Sequence, residues 1–152
     1  MSRKTLVTIV GLSLGALACA QAAQAQVKPE VLVKQRQAKM ILQVKYFGPL
    51  VAMAQGKAPY NAAVVQRNAG FIDNLTRMSW DGWDPSTRNV DSRTLPAVYD
   101  NKAKFDEYVS RLENEAAKLV AVSKTGDEAA VKAQIAAAGK VCGGCHDDFR
   151  SK

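Results

Sequence analysis

Five residues near the C-terminus, Cys142-Gly143-Gly144-Cys145-His146, carry the strongest chemical signal in this 152-residue chain, and His146 is its only histidine. The spacing C-x-x-C-H is the attachment signature of a c-type haem. Each thiol adds across one porphyrin vinyl group, and the adjacent imidazole reaches the iron as an axial ligand. On a helix, Cys142, Cys145 and His146 stand at i, i+3 and i+4, so all three project from one face.

Competing uses of these donors fit less well. A structural zinc site needs four ligands, whereas the motif offers two thiols and one imidazole. A thioredoxin-type C-x-x-C follows a strand in a βαβ unit, and no strand-like segment is visible. The remaining cysteine, Cys19, lies in an N-terminal stretch with a basic start (Arg3, Lys4), an apolar run from Leu6 to Leu17 and the small-x-small site Ala23-Gln24-Ala25. That pattern is a secretory signal peptide spanning 1–25, cleaved after Ala25, and is too short to span a membrane. Ala16 sits where a lipobox around Cys19 wants Leu or Val, so a lipid anchor is not expected. Export places the mature chain, 26–152, in the periplasm, where thioether attachment takes place.

Removing Arg3 and Lys4 takes the formal charge from +7 to +5. The remaining basic residues are scattered, which excludes a nucleic-acid footprint and leaves a surface suited to an acidic redox partner.

The elements that must position the motif read as helices throughout. Pro29 opens the first, and Leu32, Arg36, Met40, Val44, Phe47, Val51 and Ala54 recur at three- and four-residue steps as its inward stripe. Pro59 opens the second helix, whose apolar side is Val65, Ala69, Ile72 and Thr76, or alternatively Phe71, Leu75 and Met78. Periodicity disappears from Ser79 to Pro96, where Trp80 and Trp83 sit among loop residues and are expected to plug one end of the core, with cover for a haem edge as the alternative. The third helix is expected from Ala97 to Ser123, with Phe105, Tyr108, Val109, Leu112, Ala116 and Leu119 inward. Gly126 suits its C′ position, and Asp127 caps the fourth helix. There Val131, Ile135, Ala138, Cys142, Cys145 and Phe149 form one stripe. The fold class is therefore all-α, an antiparallel up-down-up-down four-helix bundle with haem c in its core.

With His146 on one side of the iron, the sixth ligand is Met40, Met53, Met78, a lysine, water or nothing. A second histidine is not available. Arg36, on an apolar stripe, calls for an anionic partner if buried. A haem propionate is a natural one, and Gln37 beside it can share the contact. Arg150, one turn beyond His146, is placed to influence that imidazole. Apart from the haem no general base is visible, so an enzyme is not expected.

These residues resemble the cytochromes c′, the class II c-type cytochromes. The likeness runs through Lys28-Pro29-Glu30, Arg36-Gln37-x-x-Met40, Tyr46-Phe47-Gly48, Gly56-Lys57-Ala58-Pro59-Tyr60 and the terminal Val141-Cys-x-x-Cys-His-Asp-Asp-Phe-Arg150. It implies Cys142 and Cys145 as thioether residues and His146 as proximal ligand. It also implies Arg36 and Gln37 as propionate contacts and Met40 as the distal residue above a five-coordinate iron that binds nitric oxide and carbon monoxide. Low-spin relatives use a methionine there as a true sixth ligand and act purely as electron carriers. The family further implies a homodimer through the first helices, for which Ile41, Leu42, Lys45, Tyr46 and Met53 lie off the inward stripe. Trp80 to Pro96 departs from the family's Gly-rich pattern, with Arg93 a candidate contact within it.

Overall fold

The computed structural model describes residues 27–152, so the signal peptide and its cleavage after Ala25 lie outside the described residues. Five helices follow in order: α1 Pro29–Ala54, α2 Ala62–Arg77, a one-turn α3 Ala97–Asp100, α4 Lys102–Val122 and α5 Glu128–Phe149. Among the described residues there is no strand, and no helix is long and apolar enough to cross a membrane.

The four long helices pack in a ring, with α1 against α2, α2 against α4, α4 against α5 and α5 back against α1. A core cluster joins Leu50 and Met53 late in α1, Val65 and Ala69 early in α2, Leu119 late in α4, and Val131 and Ile135 early in α5. Late positions meeting early ones is the signature of an antiparallel up-down-up-down bundle. The opposite end holds the start of α1, the end of α2, the start of α4 and the motif-bearing end of α5.

Local boundaries moved for identifiable reasons. The second helix opens at Ala62 rather than at Pro59, because the Asn61 side chain accepts from Val64 N at 3.0 Å. The expected long third helix is broken at Asn101 (φ −126°, ψ 60°), whose side chain accepts from Lys104 N and caps α4. A short polar side chain that satisfies a free backbone N–H competes with helix continuation at this point. Gly126 has φ +78° but lies three residues beyond the α4 cap, inside the turn rather than at C′. Asp127 does cap α5, accepting from Ala130 N at 2.9 Å.

The register of α1 differs most from expectation. Its buried residues are Leu32, Val33, Arg36, Lys39, Leu50 and Met53, with Gln43, Tyr46 and Phe47 half-buried between them. Their mean spacing is close to the three-and-a-half-residue seam of a left-handed bundle. Steps of four drift off that seam, so Val44 is 71% exposed and Met53 is buried rather than available at the surface. In α2 the set Val65, Ala69, Ile72 and Thr76 faces inward with Leu75, while Phe71 and Met78 are exposed.

Candidate haem-binding site

At the second end the helices do not close on one another. They wall a cavity of about 710 Å³, within the range of roughly 300–1,000 Å³ usual for ligand and cofactor sites. One wall is the last two turns of α5, with Cys142, Cys145 and His146. A second wall is α1, with Arg36, Gln37, Met40, Gln43 and Phe47. α2 contributes Ile72 and Thr76, and α4 contributes Phe105, Tyr108 and Leu112. Cys142, Cys145, His146, Arg36, Gln37 and Met40 therefore reach this one cavity, whereas Met53, buried in the core at the other end, and the exposed Met78 do not. Gln37 sits at its exposed rim, and Met40 is half-buried.

The α5 donors sit in a partly buried setting that shifts their titration. Both cysteines are free thiols. Burial raises the Cys142 pKa, and burial together with Cys142 and Asp148 pushes Cys145 up to about 11. Both are thus protonated and protected from casual oxidation. His146 is held below the usual imidazole value by burial and then by the Arg150 cation, against a smaller opposing effect of Asp147. The neutral imidazole, the form that binds metal, is favoured.

The 79–96 segment does more than plug the bundle. It forms two short 3₁₀ turns, Asp81–Trp83 and Pro85–Thr87, and is tied to the C-terminus by Leu95 N donating to Phe149 O at 2.9 Å and Ser151 N to Arg93 O at 2.8 Å. Trp80 and Trp83 lie 5.1 Å apart and pack on Phe105, which meets Phe149 edge-on at 5.8 Å. Both tryptophans also line the cavity. They therefore plug the end of the core and wall the site at once. Arg93 reaches the cavity too, while its guanidinium donates to Ser151 O at 2.7 Å.

Arg36 holds this segment against α1. It is only 4% exposed. Its Nη1 donates to Gly82 O (2.6 Å), Thr87 Oγ1 (3.1 Å) and the Tyr99 hydroxyl (3.2 Å), and its Nη2 to Ser92 Oγ (2.7 Å). Gly82 allows the approach, since a Cβ there would stand 2.6 Å from Arg36 Cβ. All four acceptors are neutral. A buried guanidinium without a carboxylate, with its Nε–H and one Nη2–H uncommitted, suits an anionic group in the cavity.

Two buried polar groups of α1 were missed in the sequence, one beside the cavity and one on its wall. Lys39 is 5% exposed, donates to Met78 O at 3.0 Å and Ser79 O at 3.5 Å, and stands 3.5 Å over the Trp80 ring. Burial lowers its pKa to about 8, against the attraction of Glu113 and Asp81. Gln43, one turn further along α1, lines the cavity. Its Nε2 is the one buried side-chain donor among the described residues without a partner, a condition that costs about 1–3 kcal/mol. The near-3.5-residue spacing of Arg36, Lys39 and Gln43 was the available signal, masked by their polarity.

The donor set fits a haem. Two thiols and an imidazole share one helical face on the wall of a mainly apolar cavity, and a buried cation without a counter-charge lines the same cavity. No three His, Cys, Asp or Glu side chains converge among the described residues.

Fold and site together define a four-helix-bundle c-type cytochrome with its attachment motif on the last helix. The chain belongs to the cytochrome c′ family: the family model described as Cytochrome C′ matches residues 31–150. It is 35% identical over 126 residues to cytochrome c′ from Rubrivivax gelatinosus, covering 82% of this chain and 98% of that protein. The solved structure of cytochrome c prime from Shewanella frigidimarina is similar at a TM-score of 0.79 and 30% identity, covering 83% and 98% of the two chains. Cytochrome c prime from Alcaligenes xylosoxidans, solved as a nitric oxide complex of one mutant and with carbon monoxide bound to another, is similar at 0.75 and 29%, covering 83% and 98%. The cofactor of this protein is a covalently bound c-type haem.

Proposed function

We propose that the protein is a periplasmic cytochrome c′ that binds small uncharged gases and exchanges single electrons, without enzymatic turnover. The mature domain is 26–152, released by cleavage after Ala25. The observation that carries this reading is the pairing of Cys142, Cys145 and His146 on one cavity wall with Met40, a side chain of ordinarily apolar character, on another. When bound, the haem would supply one-electron redox chemistry and, with His146 as the protein's ligand to its iron, a place for nitric oxide or carbon monoxide to bind.

The chain's own residues shape that chemistry. Cys142 and Cys145 fix the cofactor covalently, and the depressed pKa of His146 keeps its ligating nitrogen unprotonated. Arg36 offers its uncommitted protons to a propionate, with Gln37 beside it at the rim. Met40 screens the α1 side without ligating, and the surrounding apolar wall excludes water. The gas complexes of the related Alcaligenes protein support this reading. In the alternative, Met40 is a firm sixth ligand and the protein is purely an electron carrier.

A homodimer through α1 is part of the proposal. Ile41 is 68% exposed and Leu42 and Val44 are exposed beside it. Tyr46 stacks on the exposed Phe71 of α2 at 4.6 Å. Met53, being buried, does not contribute. The positive surface suits an acidic redox partner.

Absorption spectra of ferric and ferrous holoprotein, with and without carbon monoxide, test the reading. High-spin bands that shift on adding the gas are expected. Sharp low-spin bands indifferent to it would establish the six-coordinate alternative. Met40→Ala sharpens the result: it should leave attachment intact and speed carbon monoxide binding, whereas unchanged rates and spectrum would remove Met40 from the distal position.

A further inference from the structure

Several polar donors on the cavity wall are committed elsewhere. Thr76 Oγ1 donates to Asp73 O at 2.8 Å, Trp80 Nε1 to Thr76 O at 2.9 Å, and the Tyr108 hydroxyl to Asp148 Oδ2 at 2.8 Å. The guanidinium of Arg36 is anchored on the 79–96 segment and keeps its Nε–H and one Nη2–H for an anionic group. Gln37 lies at the exposed rim, where water satisfies its amide. Gln43 is different. It stands on α1 three residues beyond Met40, on a wall of the cavity that Cys142, Cys145 and His146 also line. Its Nε2 is shut off from solvent and has no acceptor.

An unmade hydrogen bond at a buried amide is a standing bias toward any acceptor that enters its reach. The terminal torsion of a glutamine is broad, so the amide turns toward the cavity at little cost. The polarity and donors of a distal pocket decide which ligands it retains. We propose that Gln43 is a specificity-determining residue: its amide donates a hydrogen bond to a diatomic gas held on the α1 side. The bond favours gases whose outer atom gathers negative charge, nitric oxide above carbon monoxide. This inference rests on the gas-binding reading above.

Infrared spectra of the ferrous carbon monoxide complexes of wild type, Gln43→Met and Gln43→Leu test it. A donated hydrogen bond lowers the C–O stretch, so the band should move to higher wavenumber in both variants. Nitric oxide should dissociate about threefold to tenfold faster from them, the worth of one ordinary hydrogen bond, with a smaller change for carbon monoxide. The same C–O band in all three proteins would overturn the role of Gln43 while leaving gas binding in place. Ferrous wild type that takes up no carbon monoxide would overturn the gas-binding reading itself, and this inference with it. The methionine variant matches glutamine in length and removes a costly buried donor, so it is expected to fold; the leucine variant repeats the test with a different shape.

Discussion

The two ends of the bundle solve the burial problem differently. Where α1 and α4 finish, Leu50, Met53, Val65, Leu119, Val131 and Ile135 close on one another as an apolar core. At the other end the same four helices carry Arg36, Lys39, Gln43, two thiols and an imidazole on inward or cavity-facing positions. Aromatic rings rather than aliphatic side chains finish that end. The closed end is satisfied by the chain alone. The cavity end contains a buried cation with neutral partners and an unpaired amide, groups that the chain alone leaves without a counter-charge or an acceptor.

The sharpest way to break this contrast is to remove the attachment points. Cys142→Ser with Cys145→Ser should abolish covalent haem. Hydrogen exchange should then lose protection across Trp80 to Val98 and the end of α5 while retaining it around Leu50, Leu119 and Ile135. Uniform loss would show that the ends are not separable. Leu119→Ala probes the opposite end and should cost about 2–5 kcal/mol in chemical denaturation without moving the haem spectrum. Arg36→Met leaves Gly82 O, Thr87 and Ser92 without their donor. It should lower stability by about 2–3 kcal/mol and, unlike Leu119→Ala, alter the haem spectrum.

The smallest effect is a pH dependence centred on Lys39. Its folded pKa is lowered to about 8 by burial, while the unfolded value is the ordinary 10.5. Between these values the unfolded chain binds more protons, so this group's contribution to stability rises with pH. Relative to Lys39→Met, wild type should therefore gain melting temperature on going from pH 7 to pH 10. A relative loss would mean that the Lys39 cation stabilises the fold through Met78 O and the Trp80 ring.

How far the sequence could be read follows the same division. The α5 motif was legible because its chemistry is local: two thiols and an imidazole on one helical turn need no tertiary knowledge. The apolar stripes of α2 and α5 were legible because their buried residues are mostly hydrophobic. The seam of α1 was not, since Lys39 and Gln43 occupy buried or half-buried positions while Val44 stands in solvent. Hydrophobicity therefore pointed one residue away from the true seam. Arg36 was placed in the site, but its partners Gly82, Thr87, Ser92 and Tyr99 lie 46 to 63 residues distant. No local pattern encodes such contacts. Trp80 and Trp83 were read as a plug, with cover for a haem edge as the alternative, and the packing of α4 and α5 around them makes them plug and cavity wall at once.

Intact-mass analysis of the exported protein under denaturing conditions tests the central claim most directly. The account predicts a chain beginning at Gln26 that retains one haem after unfolding, and no retained haem once both motif cysteines are replaced by serine. A mature chain that unfolds free of haem would contradict it.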